Sequence, residues 1–206
     1  MNAIHATAII SGEVSLGRDN VIGPFVVITG PVVIGDGNWI GSGAVIGAPP
    51  EVRTFKHPTM DDGSVGAGVE IGDRNVIREA AQIHQGWKEP TTIGSDTFIM
   101  NQAYVAHDSS VEDGATLSSS VLLAGHVRVG IGATLGLGAV VHQRRSIGQG
   151  AMVGMSAVVT HDIPAFAKAY GSPARVHGAN ALGAERAGLS AEDIRNLSKT
   201  FEAIED

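Results

Sequence analysis

The chain has 206 residues, 43% of them apolar and 4% aromatic, enough for one continuous core but with no apolar run long enough to cross a bilayer. A formal charge of −7 argues against a nucleic-acid partner, and the lack of cysteine removes disulfides, thiolate metal sites and a cysteine nucleophile. The start, MNAIHATAII, has no basic segment ahead of an apolar stretch, so a cytoplasmic protein without a transmembrane segment is the expectation.

From the first residues onward an aliphatic side chain recurs every six positions. Ile4, Ile10, Leu16, Ile22, Ile28, Ile34, Ile40 and Ile46 form a first run, and Val65, Ile71, Ile77 and Ile83 a second. The third run is Ile93, Ile99, Val105, Val111, Leu117, Leu123, Val129, Leu135, Val141, Ile147, Val153 and Val159. A period of six is neither the 3.6 of a helix nor the 2 of a plain strand, so each unit reads as a short strand plus a corner. Three units make a coil of 18 residues, and the 24 positions make eight coils. Gly often follows the aliphatic residue, as at Gly17, Gly35, Gly72, Gly94 and Gly148, and four places after it stand small residues such as Ala81, Ala103, Ser109 and Ala115. This pattern resembles that of hexapeptide-repeat proteins. The resemblance implies an all-β fold, a left-handed parallel β-helix over residues 1–164, with a C-terminal extension over 165–206.

Two interruptions break the count without breaking its phase. Thirteen extra residues precede Val65 and four precede Ile93, so loops are expected to project near 48–64 and 86–92. Projecting loops on a rigid scaffold are where binding residues concentrate; the shorter one also reads as a tolerated surface insertion.

Val105, Leu123 and Val141 are 18 apart and must stack on successive coils. His107, His126 and His142 follow them closely, and His84 joins once the second insertion is discounted, so four histidines are expected along one edge. Such a cluster points to a site. Zinc is one reading, but the position five after His107, where a γ-class carbonic anhydrase-like pattern wants histidine, is Glu112. Ser118, Ser119 and Ser120 offer no clear nucleophile. A general base needs only an oriented ring, and Asp108 stands ready to orient His107.

Past the repeats, HDIPAFAKAYGSPAR leaves the prism through prolines. Ser190 and Asp193 suit a helix cap, and Ile194, Leu197, Phe201 and Ile204 share one face, which predicts a helix near 190–204. Lys168 and Arg175, with Arg128, Arg144 and Arg145, supply the basic groups an acidic protein partner needs.

The segments AHDSSVEDG, LLAGHVRVG, AVVHQ, IGDRNVIRE, APPEVRTFKHPT and GSPARVHGANALGAERAGLS together resemble the UDP-N-acetylglucosamine 3-O-acyltransferases of lipid A biosynthesis. The resemblance implies transfer of a 3-hydroxyacyl group from acyl carrier protein to the glucosamine 3-hydroxyl of UDP-GlcNAc by a homotrimer, with no cofactor and no metal. It makes His107 the base, Asp108 its orienting partner and Gly125 the oxyanion donor. It places Arg53, His84, His126, His142, Gln143, Asn180 and Arg186 against substrate. Tyr104, Arg144 and Leu182 depart from the family's histidine, phenylalanine and acidic residue, the first prism run is a coil short, and the C-terminal segment is truncated. These departures leave open a paralogue using acyl-CoA or another nucleotide sugar, and a metal-binding hexapeptide protein as a further alternative. Met155 stands where relatives taking long acyl chains have glycine; it either ends the acyl groove early, at about ten carbons or fewer given ~0.8 kcal/mol per excluded methylene, or packs between coils.

Overall fold

The computed structural model describes residues 1–57 and 65–202. Its short strands stack in parallel as the faces of a three-sided β-helix, with sheets of ten, eight and seven strands. On the first face the aliphatic rungs are Ile4, Ile22, Ile40, Ile77, Ile99, Leu117, Leu135 and Val153. The second face carries Ile10, Ile28, Ile46, Ile83, Val105, Leu123, Val141 and Val159. The third runs from Leu16 through Ile34, Ile71, Ile93, Val111 and Val129 to Ile147, which bridges to Ile163. From Ile22 upward these side chains fill the prism and are almost wholly buried. Small residues close the corners: Ala81, Ala103, Ala115, Ala133, Ala139, Ala151 and Ala157 are fully buried because a larger group would not fit inside the turn.

Val65 is not a rung. It is 58% exposed and lies in no strand, and Ile71 follows Ile46 on the next face, so the first insertion is longer than the period implies. The eighth place on the third face is taken by Ile163, which the six-residue count does not reach. Residues 58–64 of the first loop, and Ile204 of the C-terminal face, lie outside the described residues.

The glycines after the aliphatic rungs serve close approach. A Cβ at Gly35 would collide with the carboxylate of Asp73, which accepts the N–H of Asp36 at 2.7 Å. Repeated along this corner, the arrangement forms a ladder in which Asp36, Asp73, Ser95 and Asp113 each cap a backbone N–H from the neighbouring coil. Just inside it runs a second ladder of buried amides. Asn20 Oδ1 accepts the N–H of Asn38 at 2.8 Å, Asn38 Oδ1 that of Asn75 at 2.9 Å, and Asn75 Oδ1 that of Thr97 at 2.8 Å. Buried backbone donors at a corner need such partners, because no sheet neighbour supplies them.

Gln85, only 2% exposed, ties the two insertions together. Its Nε2 donates to the carbonyls of Gly47 and Gly30, and its Oε1 accepts the N–H of Gly66 where the first loop returns. Beyond the eight coils the first sheet continues with Ala167–Gly171, parallel to Met152–Val153, and ends with antiparallel Ala174–Ala179. Two helices follow, α1 over Ala181–Arg186 and α2 over Ala191–Glu202. Helix α2 opens with the expected cap: Ser190 Oγ accepts the N–H of Asp193, whose carboxylate takes the Ser190 hydroxyl at 2.6 Å. Its Phe201 is buried and its Leu197 packs against the core. Helix α1, too short to show a period, was not foreseen from the sequence.

Candidate active site

The site grows from the corner between the second and third faces. Three consecutive coils present stacked turns there: Ala106-His107-Asp108, Ala124-Gly125-His126 and His142-Gln143-Arg144. The last residue of each is left-handed, with φ of 57° at Asp108, 61° at His126 and 61° at Arg144. The rungs Val105, Leu123 and Val141 fix the height of these turns.

Asp108 is the most constrained of these residues. Its side chain is 2% exposed and takes four hydrogen bonds: from the N–H groups of Trp87, Lys88 and Glu89 at 3.0, 2.8 and 2.9 Å, and from His107 Nδ1 at 2.6 Å. Burial alone would raise its pKa, but the donors from Glu89, His107, Trp87 and Lys88 hold it down at about 2, so the carboxylate stays charged. The four-residue insertion therefore builds a receptor of consecutive backbone amides for Asp108. The in-phase interruption signalled a loop, but nothing in its residue types signalled this partner, since the contacts are all main-chain.

A charged Asp108 bound to Nδ1 fixes the His107 tautomer, with Nδ1 as donor and Nε2 as a free acceptor. The ring reaches over buried Gly125, where a Cβ would stand 2.6 Å from both Cε1 and Nε2. Glycine is thus required for the imidazole to lie where it does. Among the described residues the Gly125 N–H has no hydrogen-bond acceptor, although its carbonyl takes the Arg144 N–H at 3.0 Å. The His126 ring meets that of His107 edge-on at 5.1 Å. Burial lowers the His126 pKa, Arg144 and His107 add to the effect, and Asp108 opposes it.

The expected column of four histidines is two close rings and two outliers. His142, one coil on, is exposed and turns its Nδ1 to the Gln143 carbonyl at 3.1 Å; Gln143 is exposed beside it. His84, one coil below, faces the base of the first loop, with Nδ1 2.9 Å from the Pro49 carbonyl and 3.4 Å from Glu51, and its ring packs on Tyr104 at 5.1 Å. Its buried Nε2 has no partner. Arg53 lies exposed in that loop.

One ligand atom each from His107, Asp108 and His126 lie within 4.8 Å of one another, close enough for a metal cage. The Asp108 oxygens, however, already accept four donors, and His107 Nδ1 is spent on one of them. The hydrogen bonding suits an oriented base better than a ligand set.

One recess adjoins this edge, and another lies on a different face. On the second face Tyr104, Leu122, Leu123, Ala124, Val140 and Val141 line an apolar hollow of about 400 Å³ next to the column. Met155 stands at the corner leading into that face, one coil beyond Val140, and is 70% exposed, so it does not pack between coils. A second groove, of about 620 Å³, lies on the first face under α1, with Lys168, Gln149, Asn180, Leu182 and Arg186 in its lining. Asn180 caps α1 by accepting the Gly183 N–H and donates to the Gly150 carbonyl at 2.8 Å. Asn180 and Arg186 therefore sit on a different face from His107, and one chain alone does not bring them together.

Residues 162–206 match the second domain of the UDP N-acetylglucosamine O-acyltransferases. An acyl-[acyl-carrier-protein]–UDP-N-acetylglucosamine O-acyltransferase from Thermodesulfovibrio yellowstonii is 37% identical over 99% of this chain and 84% of its own length. One of the same name from Stutzerimonas stutzeri is 36% identical over 65% of this chain, a match spanning about half (53%) of that relative. Among solved structures, the UDP-N-acetylglucosamine O-acyltransferase of Moraxella catarrhalis superposes with a TM-score of 0.85 at 30% identity, covering 97% of this chain and 81% of its own. The UDP-N-acetylglucosamine acyltransferase of Campylobacter jejuni gives 0.80 at 28% identity, covering 97% and 83%.

Proposed function

This chain belongs to the acyl-[acyl-carrier-protein]–UDP-N-acetylglucosamine O-acyltransferase family, and on that premise we propose that it moves a 3-hydroxyacyl group from acyl carrier protein to the 3-hydroxyl of the glucosamine in UDP-GlcNAc. The observation that carries this reading is the His107–Asp108 pair beside Gly125: an imidazole with Nδ1 bound at 2.6 Å, its Nε2 free and an unpartnered buried N–H next to it.

In the proposed reaction His107 Nε2 takes the proton of the sugar hydroxyl as its oxygen attacks the thioester carbonyl. The Gly125 N–H donates to the oxyanion that develops, where a preorganised donor contributes most. Collapse breaks the carbon–sulfur bond, and the departing thiolate takes the proton back from His107. Asp108 keeps the ring in the reactive tautomer and stabilises the imidazolium. His126, whose pKa burial lowers, lines the approach to the base with His142 and Gln143. The apolar hollow at Leu122 and Val140 suits the acyl chain, and Met155 at its far corner limits that chain to about ten carbons or fewer, on ~0.8 kcal/mol per excluded methylene.

Asn180 and Arg186, with His84 and Arg53 at the first loop, contact the nucleotide sugar in this reading. Because the Asn180–Arg186 groove and His107 lie on different faces, the site is completed between neighbouring prisms of a homotrimer. Among the described residues no helix is long and apolar enough to cross a membrane; a cytoplasmic site of action fits a soluble donor and acceptor. One observation favours a different nucleotide sugar as acceptor: the groove contains exposed Leu182 and no carboxylate to hold sugar hydroxyls.

The test is turnover of UDP-GlcNAc with 3-hydroxyacyl carrier proteins of several lengths, with His107→Ala as control. Acylated UDP-GlcNAc formed by the wild type alone supports the reading. Activity retained in His107→Ala removes the base assignment.

A further inference from the structure

Six consecutive residues, His84 to Glu89, run from the base of the first loop to the Asp108 carboxylate, and each holds a neighbouring segment. His84 Nδ1 lies 2.9 Å from the Pro49 carbonyl. Gln85 takes both limbs of the loop. Its backbone N–H donates to the Ala48 carbonyl at 2.8 Å. Its side-chain amide is shared among the carbonyls of Thr29, Gly30 and Gly47 at 3.2, 3.1 and 2.9 Å, while Oε1 accepts the N–H of Gly66 on the returning limb at 2.6 Å. Gly86 pairs with that same limb: its N–H donates to the Gly68 carbonyl at 2.9 Å, and its carbonyl accepts the Ala67 N–H at 2.7 Å. The next three residues, Trp87, Lys88 and Glu89, point their N–H groups at Asp108.

The two ends of this segment have little freedom to move apart. A Cβ at Gly86 would collide with the Glu89 carbonyl oxygen, so residues 86–89 fold back on themselves in a turn that requires glycine. A Cβ at Gly66 would collide with the Gly86 carbonyl oxygen, so the returning limb lies directly against that turn. Thr91, just past the turn, donates its N–H to the Gly68 carbonyl at 3.1 Å. Gln85 is only 2% exposed, and a buried amide whose donors and acceptor are all engaged fixes the backbone groups it touches. A shift of the returning limb therefore reaches Gly86, and through so tight a turn it reaches the amides of residues 87–89.

We propose that Gln85 is a positioning residue for the base: it seats the first loop and the amides that hold Asp108 as one unit, so that the orientation of the His107 ring depends on how the loop is held. This deepens the reading above and rests on it for the reaction. The side-chain hydrogen bonds of Gln85 all go to the two limbs of the loop and to the coil below. It acts on the imidazole through Gly86, the three amides and the Asp108 carboxylate. A nucleotide sugar that orders the loop at Arg53 thereby favours the oriented base, and by reciprocity the oriented base favours the ordered loop.

The experiment compares the full-length wild type with Gln85→Met, which keeps the length of the side chain and removes its hydrogen bonds, and with Gly66→Ala, which presses on Gly86 from the loop side. Asn38→Ala, which removes a buried amide from the ladder at another corner, is the control for lost stability. Two readouts need no substrate: the downfield Nδ1 proton of His107 in NMR, and hydrogen exchange at Trp87, Lys88 and Glu89. The third is steady-state kinetics with UDP-GlcNAc and a 3-hydroxyacyl carrier protein. Both test variants are expected to shift or lose the Nδ1 resonance, to exchange the three amides at least about tenfold faster and to lower kcat at least about tenfold, with the KM for the acyl carrier unchanged. Asn38→Ala lowers the melting temperature and leaves all three readouts as in the wild type. A folded Gln85→Met with wild-type resonance, exchange and kcat overturns the proposal. So does a fall in kcat with the resonance and the exchange unmoved. If Gln85→Met does not fold, Gly66→Ala decides by the same measures. If the wild type turns over no UDP-GlcNAc yet both variants move the resonance and the exchange, the link stands and the acyl-transfer reading falls.

Discussion

The imidazole of His107 covers Gly125 so closely that a single methyl group there would come within 2.6 Å of Cε1 and Nε2. Gly125→Ala keeps the backbone N–H but pushes the ring off its seat, and an ångström of misplacement at a reacting centre costs about 100-fold. A fall in kcat of about 100-fold or more is expected, with the melting temperature close to that of the wild type because the group that must give way is the His107 side chain and not the backbone. Wild-type kcat in Gly125→Ala would show that the ring does not act from this position.

Asp108 links the site to stability. Its folded pKa is about 2 against an ordinary 3.8. A depressed carboxylate contributes stability that is fully present above the unfolded value, near pH 4, and is lost as the pH falls through the folded one, near 2. The shift corresponds to about 2 kcal/mol. Urea unfolding of wild type and Asp108→Asn between pH 2 and 5 should show the difference shrinking across that window. Hydrogen exchange at Trp87, Lys88 and Glu89 should accelerate in the variant, because their amides lose the carboxylate.

Much of this was legible in the sequence, and the failures have physical causes. Rungs such as Ile22, Leu117 and Val153 fall where the six-residue period puts them because each must fill a prism interior of fixed size. Val65 satisfied the period by coincidence and lies exposed, since spacing carries no information across an insertion of unknown length. His107 and Asp108 could be chosen as neighbours on the chain. Their true support, the amides of residues 87–89, could not, because main-chain contacts leave no mark in residue identity. His84 shares the coil phase of the column, yet its ring follows a local partner, the Pro49 carbonyl, that periodicity cannot see.

The asparagine ladder is structural and separable from catalysis. Asn38, 1% exposed, accepts from the Asn75 N–H and donates to Asn20 Oδ1. Asn38→Ala leaves a buried N–H without a partner, which costs about 1–3 kcal/mol. The denaturation midpoint should fall accordingly while kcat/KM is unchanged. A variant as stable as the wild type would mean that water replaces the side chain at no cost.

His126 titrates below the usual imidazole value because it is partly buried, and Arg144 above it and His107 beside it add to the effect. The folded state therefore binds fewer protons here than the unfolded chain. The contribution of this residue to stability declines as the pH falls through the ordinary histidine value, and levels off below the lowered one. Removing the cation in Arg144→Gln should raise the His126 pKa, which proton–carbon NMR of the ring resolves. A pKa unmoved by this substitution would remove Arg144 from the causes and leave burial and His107.

Met155 offers the sharpest test of substrate choice. It stands 70% exposed at the corner of the second face, one coil past Val140 in the apolar hollow beside the base. A thioether side chain at that point occupies the volume of several methylenes, and each methylene denied burial loses ~0.8 kcal/mol, about a fourfold drop in kcat/KM. Met155→Gly opens the hollow, so the variant should gain on donors longer than about ten carbons by that factor per added methylene. Short donors, which never reach the corner, should be turned over as before. The measurement is kcat/KM for a series of 3-hydroxyacyl carrier proteins on both enzymes. If both enzymes rank the donors alike, chain length is set elsewhere on the second face, with Leu122 the next side chain to change.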